Sequence, residues 1–509
     1  MTTVPQTAWQ RWSGRGLWLL LLILPAVLYW SSIWTRFGLR DDYSVLREVL
    51  DEPGKIYAFS TSQGRPVYGL LLEPLFAAFD DIDDLPWARL TGALCYGLLG
   101  AALAIVLEKK LRWSRAQAVM AGALLALLPS VQISLLWGIC WPHALAAVIA
   151  LISFVVAQRS FAAHTSFRRV AGASFAVVLL LAAILIYQPN ALFYAVLMAA
   201  GLLAPGNRQT WARLRLMIAH IAMVVLALLV AFAVTKALFS EGVFRPSPRV
   251  VLDLEWLEKI IWFAREPLDN ALALFVVDDF AGRTEPWHSL MASLVAIAIT
   301  GGGFIEWRRR GMAAALLWWG GGVTLAILTY AVSFVARERW PTYRTILPLS
   351  AVTLIFFVRA MGLVAEQWPR RGWQLVTMLA VVFLAGGAYI ARSTSRLAIS
   401  ECQAQELLRV QRVAASLDPV KRPRVFVLLP RPRESNCAVR YLDEFGSLSA
   451  DCDWCAKEML LLLLKERYPE RPDLPRRMRF SFGNFRPRLG VWDQVVDLRI
   501  PRRGAAPKQ

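Results

Sequence analysis

Stretches of about 20 consecutive apolar residues, free or nearly free of charge, recur along this 509-residue chain. Each is long enough to cross the hydrocarbon core of a bilayer as a helix. Lipid offers the backbone no hydrogen-bonding partner, so a spanning segment must satisfy itself, and runs of this length do so as α-helices. The composition agrees: 57% of residues are hydrophobic and 18% charged, against roughly 25% charged in a soluble globular chain. A disordered, collagenous or disulfide-dense secreted chain is excluded.

The formal charge of +19 does not imply a nucleic-acid partner, because Lys and Arg gather at the ends of apolar runs rather than along one polar face. The clusters are Arg11/Arg15, Lys109/Lys110/Arg112/Arg115, Arg159/Arg168/Arg169, Arg208/Arg213/Arg215, Arg308/Arg309/Arg310 and Arg370/Arg371, with one loop skipped between them. The positive-inside rule puts these segments in the cytoplasm. Spans are then expected at 17–34, 87–107, 116–135, 142–157, 170–187, 189–204, 214–236, 286–305, 312–335, 345–364 and 373–391. That makes about eleven helices, with the N-terminus inside and the C-terminus outside. The first span has no A-x-A-like cleavage site after it and ends in Trp30 and Trp34, so it reads as a retained signal anchor.

Three large pieces fall outside: 35–86, 239–285 and a tail, 392–509, which forms a second domain beside a membrane domain of 1–391. The cytoplasmic connections are short and basic, without a P-loop or a dinucleotide fingerprint. Chemistry is therefore expected outside.

The first external loop carries ten carboxylates (Asp41, Asp42, Glu48, Asp51, Glu52, Glu73, Asp80, Asp81, Asp83, Asp84) and five basic residues (Arg36, Arg40, Arg47, Lys55, Arg65). Tyr43, Leu46, Val49 and Leu50 recur at helical spacing, which predicts a helix lying in the membrane interface. The apolar run 66–79 is too short to cross and reads as a second interfacial helix with Pro66 in its first turn.

Asp41-Asp42-Tyr43 just after the first span, Gly64-Arg65-Pro66 some twenty residues later, and Tyr187-Gln188-Pro189 between the fifth and sixth spans form an ordered set. In order, topology and spacing this set resembles the bacterial O-antigen glucosyltransferases of the serotype-converting type, in the GT-C superfamily of integral-membrane glycosyltransferases. The resemblance covers roughly 15–390 and extends to Asp443-Glu444-Phe445-Gly446 and Asp453-Trp454 in the tail. It implies an all-α polytopic GT-C-like fold and transfer of a glucosyl or similar residue from a polyprenyl-phosphate sugar. The acceptor would be an O-antigen or another cell-surface glycan, at the periplasmic face of a bacterial inner membrane.

Such chemistry has a physical logic. A polyprenyl tail cannot leave the bilayer, since each buried CH₂ contributes about 0.8 kcal/mol. The enzyme must therefore meet the phosphosugar at the interface with a carboxylate base for the acceptor hydroxyl and cations for the departing phosphate. Asp41 and Asp42 are the candidate bases, with Asp42 the first choice; the alternative for either is capping of the helix that follows. Arg65 is a candidate phosphate ligand, or an interfacial anchor. Arg337, Arg339 and Arg344 crowd a short external loop against the positive-inside bias, which points to a bound anion; the rival is pairing with Glu338 and the acidic first loop. Tyr187 and Gln188 are further candidates through the resemblance.

Asp81-Ile82-Asp83 has the D-x-D spacing of metal-holding carboxylates, but solvated capping at the start of a span is the favoured reading. No metal site is assigned and no cofactor is required; Mg²⁺ or Mn²⁺ stays open because oxygen ligands are plentiful. Asp278-Asp279 is a second carboxylate pair, either facing the groove or exposed to solvent. His143, His220 and His288 read as packed or interfacial residues. Cys402, Cys437, Cys452 and Cys455 in an external tail read as structural disulfides, with three pairings open and a zinc or redox role for Cys452-x-x-Cys455 as the alternative. The tail has helical periodicity near 396–416 and 453–468 and strand-like runs at 425–429 and 491–499, which predicts a small α/β domain. A lipid flippase or transporter, or an O-antigen polymerase or ligase, is the alternative function. The uncharged spans and missing repeat count against transport.

Overall fold

The computed structural model describes residues 8–206, 210–240, 242, 244–247, 251–253, 255–367, 372–431, 437–471, 473–487 and 491–499. Arg208, Arg370 and Arg371, of the basic clusters, lie outside them. Among the described residues, eight helices are long and apolar enough to cross a membrane: Ile82–Lys109, Gly138–Phe161, Ser166–Ile186, Thr210–Ser240, Glu285–Arg310, Met312–Thr329, Leu347–Gln367 and Val376–Ser416. A ninth is formed if the pair Arg115–Leu125 and Pro129–Leu136, bent by 49°, counts as one.

Eight of the expected spans coincide with these helices. The count of eleven is not reached, and the reasons are local. Pro129 cannot donate into the helical ladder, so the predicted span 116–135 bends there. The predicted span 189–204 divides into Gln188–Ala191 and Tyr194–Leu202, of 4 and 9 residues. The apolar part of the first helix is Gly16–Leu28, short for a crossing. That helix lies against Ile82–Lys109 so closely that a Cβ on Gly97 would sit 1.8 Å from the Leu22 carbonyl oxygen. Small residues permit such backbone approach between membrane helices. Leu347–Gln367 is buried on nearly every side and forms the centre of the bundle.

The first long loop, 35–86, folds into three short helices, Asp41–Asp51, Lys55–Ser62 and Pro66–Phe76. The first departs from the interfacial reading. Its apolar face, Tyr43, Leu46 and Val49, is covered by protein, including the tail helix Asp453–Arg467, and only Leu50 of the predicted stripe is exposed. The stripe is helical as expected, but its partner is the tail rather than lipid. Phe59 and Leu70 on the other two helices are more than half exposed, as a lipid-facing surface requires.

The last long helix runs without interruption from Val376 to Ser416, so the boundary drawn at 391/392 falls inside it; a π-helical turn occupies Ser395–Ser400. Beyond it lies a small three-stranded parallel sheet of order β2-β1-β3, with β1 at Arg424–Leu428, β2 at Arg479–Gly483 and β3 at Gln494–Asp497. β3 falls within the strand-like run 491–499, and β1 overlaps the run 425–429 but begins one residue earlier. β2, RFSFG, was not anticipated.

Candidate functional site

A cavity of about 500 Å³ opens where the three loop helices meet the start of Gly138–Phe161, the turn at Tyr187, the loop 340–344 and the tail. Its wall holds Arg40, Lys55, Arg65 and Arg344 together with Asp41, Glu48, Asp443 and Glu458, with Tyr68, His143, Tyr187, Trp340 and Trp454 among the rings. Phe59 lines it and is also exposed, so one rim is apolar.

The adjacent carboxylates part company at the start of the helix Asp41–Asp51. Asp41 is half-buried and lines the cavity. Asp42 is 1% exposed and does not. Its carboxylate accepts the amides of Leu39 (2.9 Å), Ile139 (2.9 Å) and Gly138 (3.3 Å), tying the loop to the turn before the second long helix. Burial pushes its carboxyl up to about 6, while the three amides and Arg89 pull the other way. Asp42 thus ties the loop to Gly138 and Ile139 rather than capping the helix that follows, which has no side-chain cap, and of the pair it is Asp41 that lines the cavity.

The residue before them is strained. Arg40 has φ 38°, unusual for a side chain with a Cβ, and the tail holds it there. Its amide donates to Ser449 Oγ at 3.0 Å and its guanidinium pairs with Asp451 at 3.1 Å.

The two other motifs found in the sequence meet each other. Gly64 sits at φ 76°, turning the chain into the Pro66–Phe76 helix, and its carbonyl accepts from Gln188 Nε2 at 2.8 Å. Arg65 Nε donates to Gln188 Oε1 at 3.2 Å, and its guanidinium lies 4.7 Å from the Tyr187 ring centre. Tyr187 in turn stacks on His143 with 3.6 Å between centroids and 11° between planes. Tyr68, whose phenol burial holds protonated, lines the same cavity as Arg65 and Asp41.

Of Arg337, Arg339 and Arg344, one reaches the cavity. Arg344 lies 4.0 Å over the Trp137 ring, donates to Glu444 at 3.0 Å and meets Asp443 at 3.4 Å. Burial opposes its charge, but these carboxylates outweigh burial and raise its pKa. Glu444, fully buried, is pushed up to about 7 by desolvation in spite of Arg344. Arg339 turns away to Glu255 (2.7 Å) and Glu258 (2.8 Å) of the second long loop, 239–285, and Arg337 is exposed, its amide on Val251. The charge crowding is thus relieved in part by the second loop, not the first.

Asp278 and Asp279 do not line the cavity. Asp279 is buried rather than solvated, accepting from Arg283 (2.7 Å) and from the amide of Arg440 (3.0 Å), which fastens the tail to the second loop. Asp81 accepts the Asp83 amide at 2.8 Å and Asp83 pairs with Arg36, so both are occupied at a helix start away from the cavity. His220 bonds Tyr194 and Gln158 inside the bundle, and His288 bonds Asn270. Among the described residues no group of three or more His, Cys, Asp or Glu is placed to hold a metal. In the tail, Cys402 and Cys437 are joined and Cys452 and Cys455 are thiols.

Residue patterns did not single out Arg40, His143, Trp340, Trp454 or Glu458 as cavity residues. Asp453-Trp454 and Asp443-Glu444 were visible only through the resemblance. Trp454 and Glu458 stand one helical turn apart, which puts both on one face, but nothing in the sequence says what that face meets.

Searches against protein-family models and against curated proteins found no match. Among solved structures, the crystal structure of an oligosaccharyltransferase from Archaeoglobus fulgidus, in complex with Zn and sulfate, is similar at a TM-score of 0.41 and 15% identity. The match covers 79% of this chain and 55% of that one, so the chain spans about half the length of that enzyme.

Proposed function

We propose that this protein is a GT-C-type membrane glycosyltransferase that takes a glucosyl or similar residue from a polyprenyl-phosphate carrier and passes it to a cell-surface glycan or its lipid-linked precursor. The reaction would occur on the external face of a bacterial inner membrane. The observation that carries this reading is one cavity lined together by a half-buried carboxylate, Asp41, the arginines Arg65 and Arg344, and the exposed ring of Phe59. Asp41 takes the proton of the acceptor hydroxyl, whose oxygen attacks the anomeric carbon. The bond from that carbon to the phosphate oxygen breaks, and the phosphate leaves with the electron pair. Charge-assisted contacts from Arg65 and Arg344 stabilise it in a site sheltered from water. Asp42 positions the helix that carries the base. Gln188 and Tyr187 orient Arg65, and the aromatic and acidic wall of the tail, Trp454 and Glu458, lies where an acceptor sugar would enter.

The test is transfer by purified protein from a labelled polyprenyl-phosphate sugar to a membrane-extract acceptor, with Asp41→Asn and Asp42→Asn beside wild type. Transfer lost with Asp41→Asn in a protein that still binds the donor supports the reading. Full transfer by both variants removes the proposed base, and lipid translocation without transfer replaces the enzyme with a flippase.

A further inference from the structure

Four neighbouring tail residues close around Arg40, the residue that precedes the cavity carboxylate. Besides the bonds from Ser449 and Asp451, Arg40 Nη1 lies 3.7 Å from Cys452 Sγ, and the Cys455 thiol donates to the Arg40 carbonyl at 3.6 Å. The two sulfurs therefore hold residue 40 from opposite ends of its own peptide and side chain. They also differ in the way an exchanging pair must. Cys452 is partly exposed and stands at the N-terminal cap of the 15-residue helix Asp453–Arg467, whose free amide ends favour a thiolate. Cys455 is buried within the first turn. A hydrogen bond from Cys455 and the Arg40 charge lower the Cys452 thiol, whereas burial raises that of Cys455. A zinc site would need further ligands, and among the described residues none gather there. The structural disulfide is elsewhere, between Cys402 and Cys437.

We propose that Cys452 and Cys455 form a thiol–disulfide exchange site whose oxidation state sets the tail's hold on Arg40. The oxidant is an organic disulfide, such as glutathione disulfide or the disulfide of an exchange protein. Cys452 thiolate attacks one of its sulfurs; the S–S bond breaks and one sulfur leaves as thiolate. Cys455 then loses its proton and attacks Cys452 Sγ, which expels the second thiol and closes the pair. Two electrons and two protons pass from the cysteines to the disulfide. Closure removes the S–H donor to the Arg40 carbonyl and the thiolate acceptor of its guanidinium, so a residue held at φ 38° loses its contacts with two of the four tail residues that grip it. The exchange site stands apart from the proposed reaction; only a consequence for Asp41 rests on that reading.

The experiment uses the full chain in detergent, equilibrated in glutathione buffers of graded oxidised-to-reduced ratio, with differential alkylation and peptide mass analysis. Cys452 and Cys455 are expected to close together across the series while Cys402–Cys437 stays closed, and Cys455→Ser is expected to trap glutathione on Cys452. Two thiols that stay reduced throughout, or glutathione on Cys452 of the wild type without closure, would overturn the site. Hydrogen exchange of the segment 38–43 reads the coupling without any assay of transfer. Faster exchange in the oxidised form is expected, and identical exchange in both forms overturns the hold on Arg40.

Discussion

Arg47 of the first loop and Glu458 of the tail helix form a two-pronged ion pair, with Nη2 and Oε1 3.1 Å apart and side chains 14% and 7% exposed. It joins residues 411 apart in sequence, and of the two Glu458 lines the cavity. Removing one partner strands a charge in a partly buried place, at a cost of about 2–4 kcal/mol, somewhat below a fully buried pair because Arg47 also meets Asp51. Glu458→Gln is expected to lower the thermal midpoint and speed proteolysis of the tail, with the double variant Arg47→Gln/Glu458→Gln losing less than the two single losses together. Additive losses would mean that the pair does not couple loop and tail.

Asp41→Asn and Asp42→Asn should separate chemistry from architecture. The first is expected to reduce turnover by about 10²- to 10⁴-fold with little change in thermal midpoint. The second should lower the midpoint, because three amides lose a carboxylate partner. The reverse pattern would make Asp42 the base.

The buried carboxyl of Asp42 also has a pH signature. Its pKa in the fold, about 6, lies above its ordinary 3.8, so between those values the folded state holds the proton more tightly than the unfolded chain. Stability from this group is therefore greatest below about pH 4 and declines as pH rises through 6, by on the order of 3 kcal/mol in all. Unfolding midpoints of wild type should fall over that window, and the deficit of Asp42→Asn should narrow over it. A deficit constant from pH 4 to 7 would contradict this.

Arg65→Lys keeps the charge but loses the planar contact with Gln188 and Tyr187, so the donor KM should rise roughly tenfold. Gln188→Ala should move KM in the same direction. Arg339→Ala, outside the cavity, should leave transfer near wild type. Equal losses at Arg339 and Arg344 would place the anion site in the wrong part of the loop.

Trp454 is 42% exposed although it lines the cavity, which suits a ring that a sugar covers. Trp454→Ala is expected to raise the acceptor KM about tenfold and leave the donor KM unchanged. A change confined to the donor would assign this wall to the carrier.

What could be read before the fold was known followed from length and local spacing. Charge-free runs near 20 residues have one stable form in lipid, and eight of them appear as long helices; those that differ contain a proline or are cut short. The loop helices, too, are local. Their partners are not: the stripe Tyr43, Leu46 and Val49 predicts an apolar face equally well whether lipid or the tail covers it.

The choice within the carboxylate pair shows the division most clearly. Sequence alone determined that two acids open a helix just after the first apolar run, because helical spacing acts over a few residues. Consecutive helical residues point about 100° apart, so two neighbours cannot share one environment. Which of them meets the cavity was decided by amides at Gly138 and Ile139, 96 and 97 residues away, and by a tail that grips Arg40 from more than 400 residues downstream. Contacts across such separations exist only once the chain has packed.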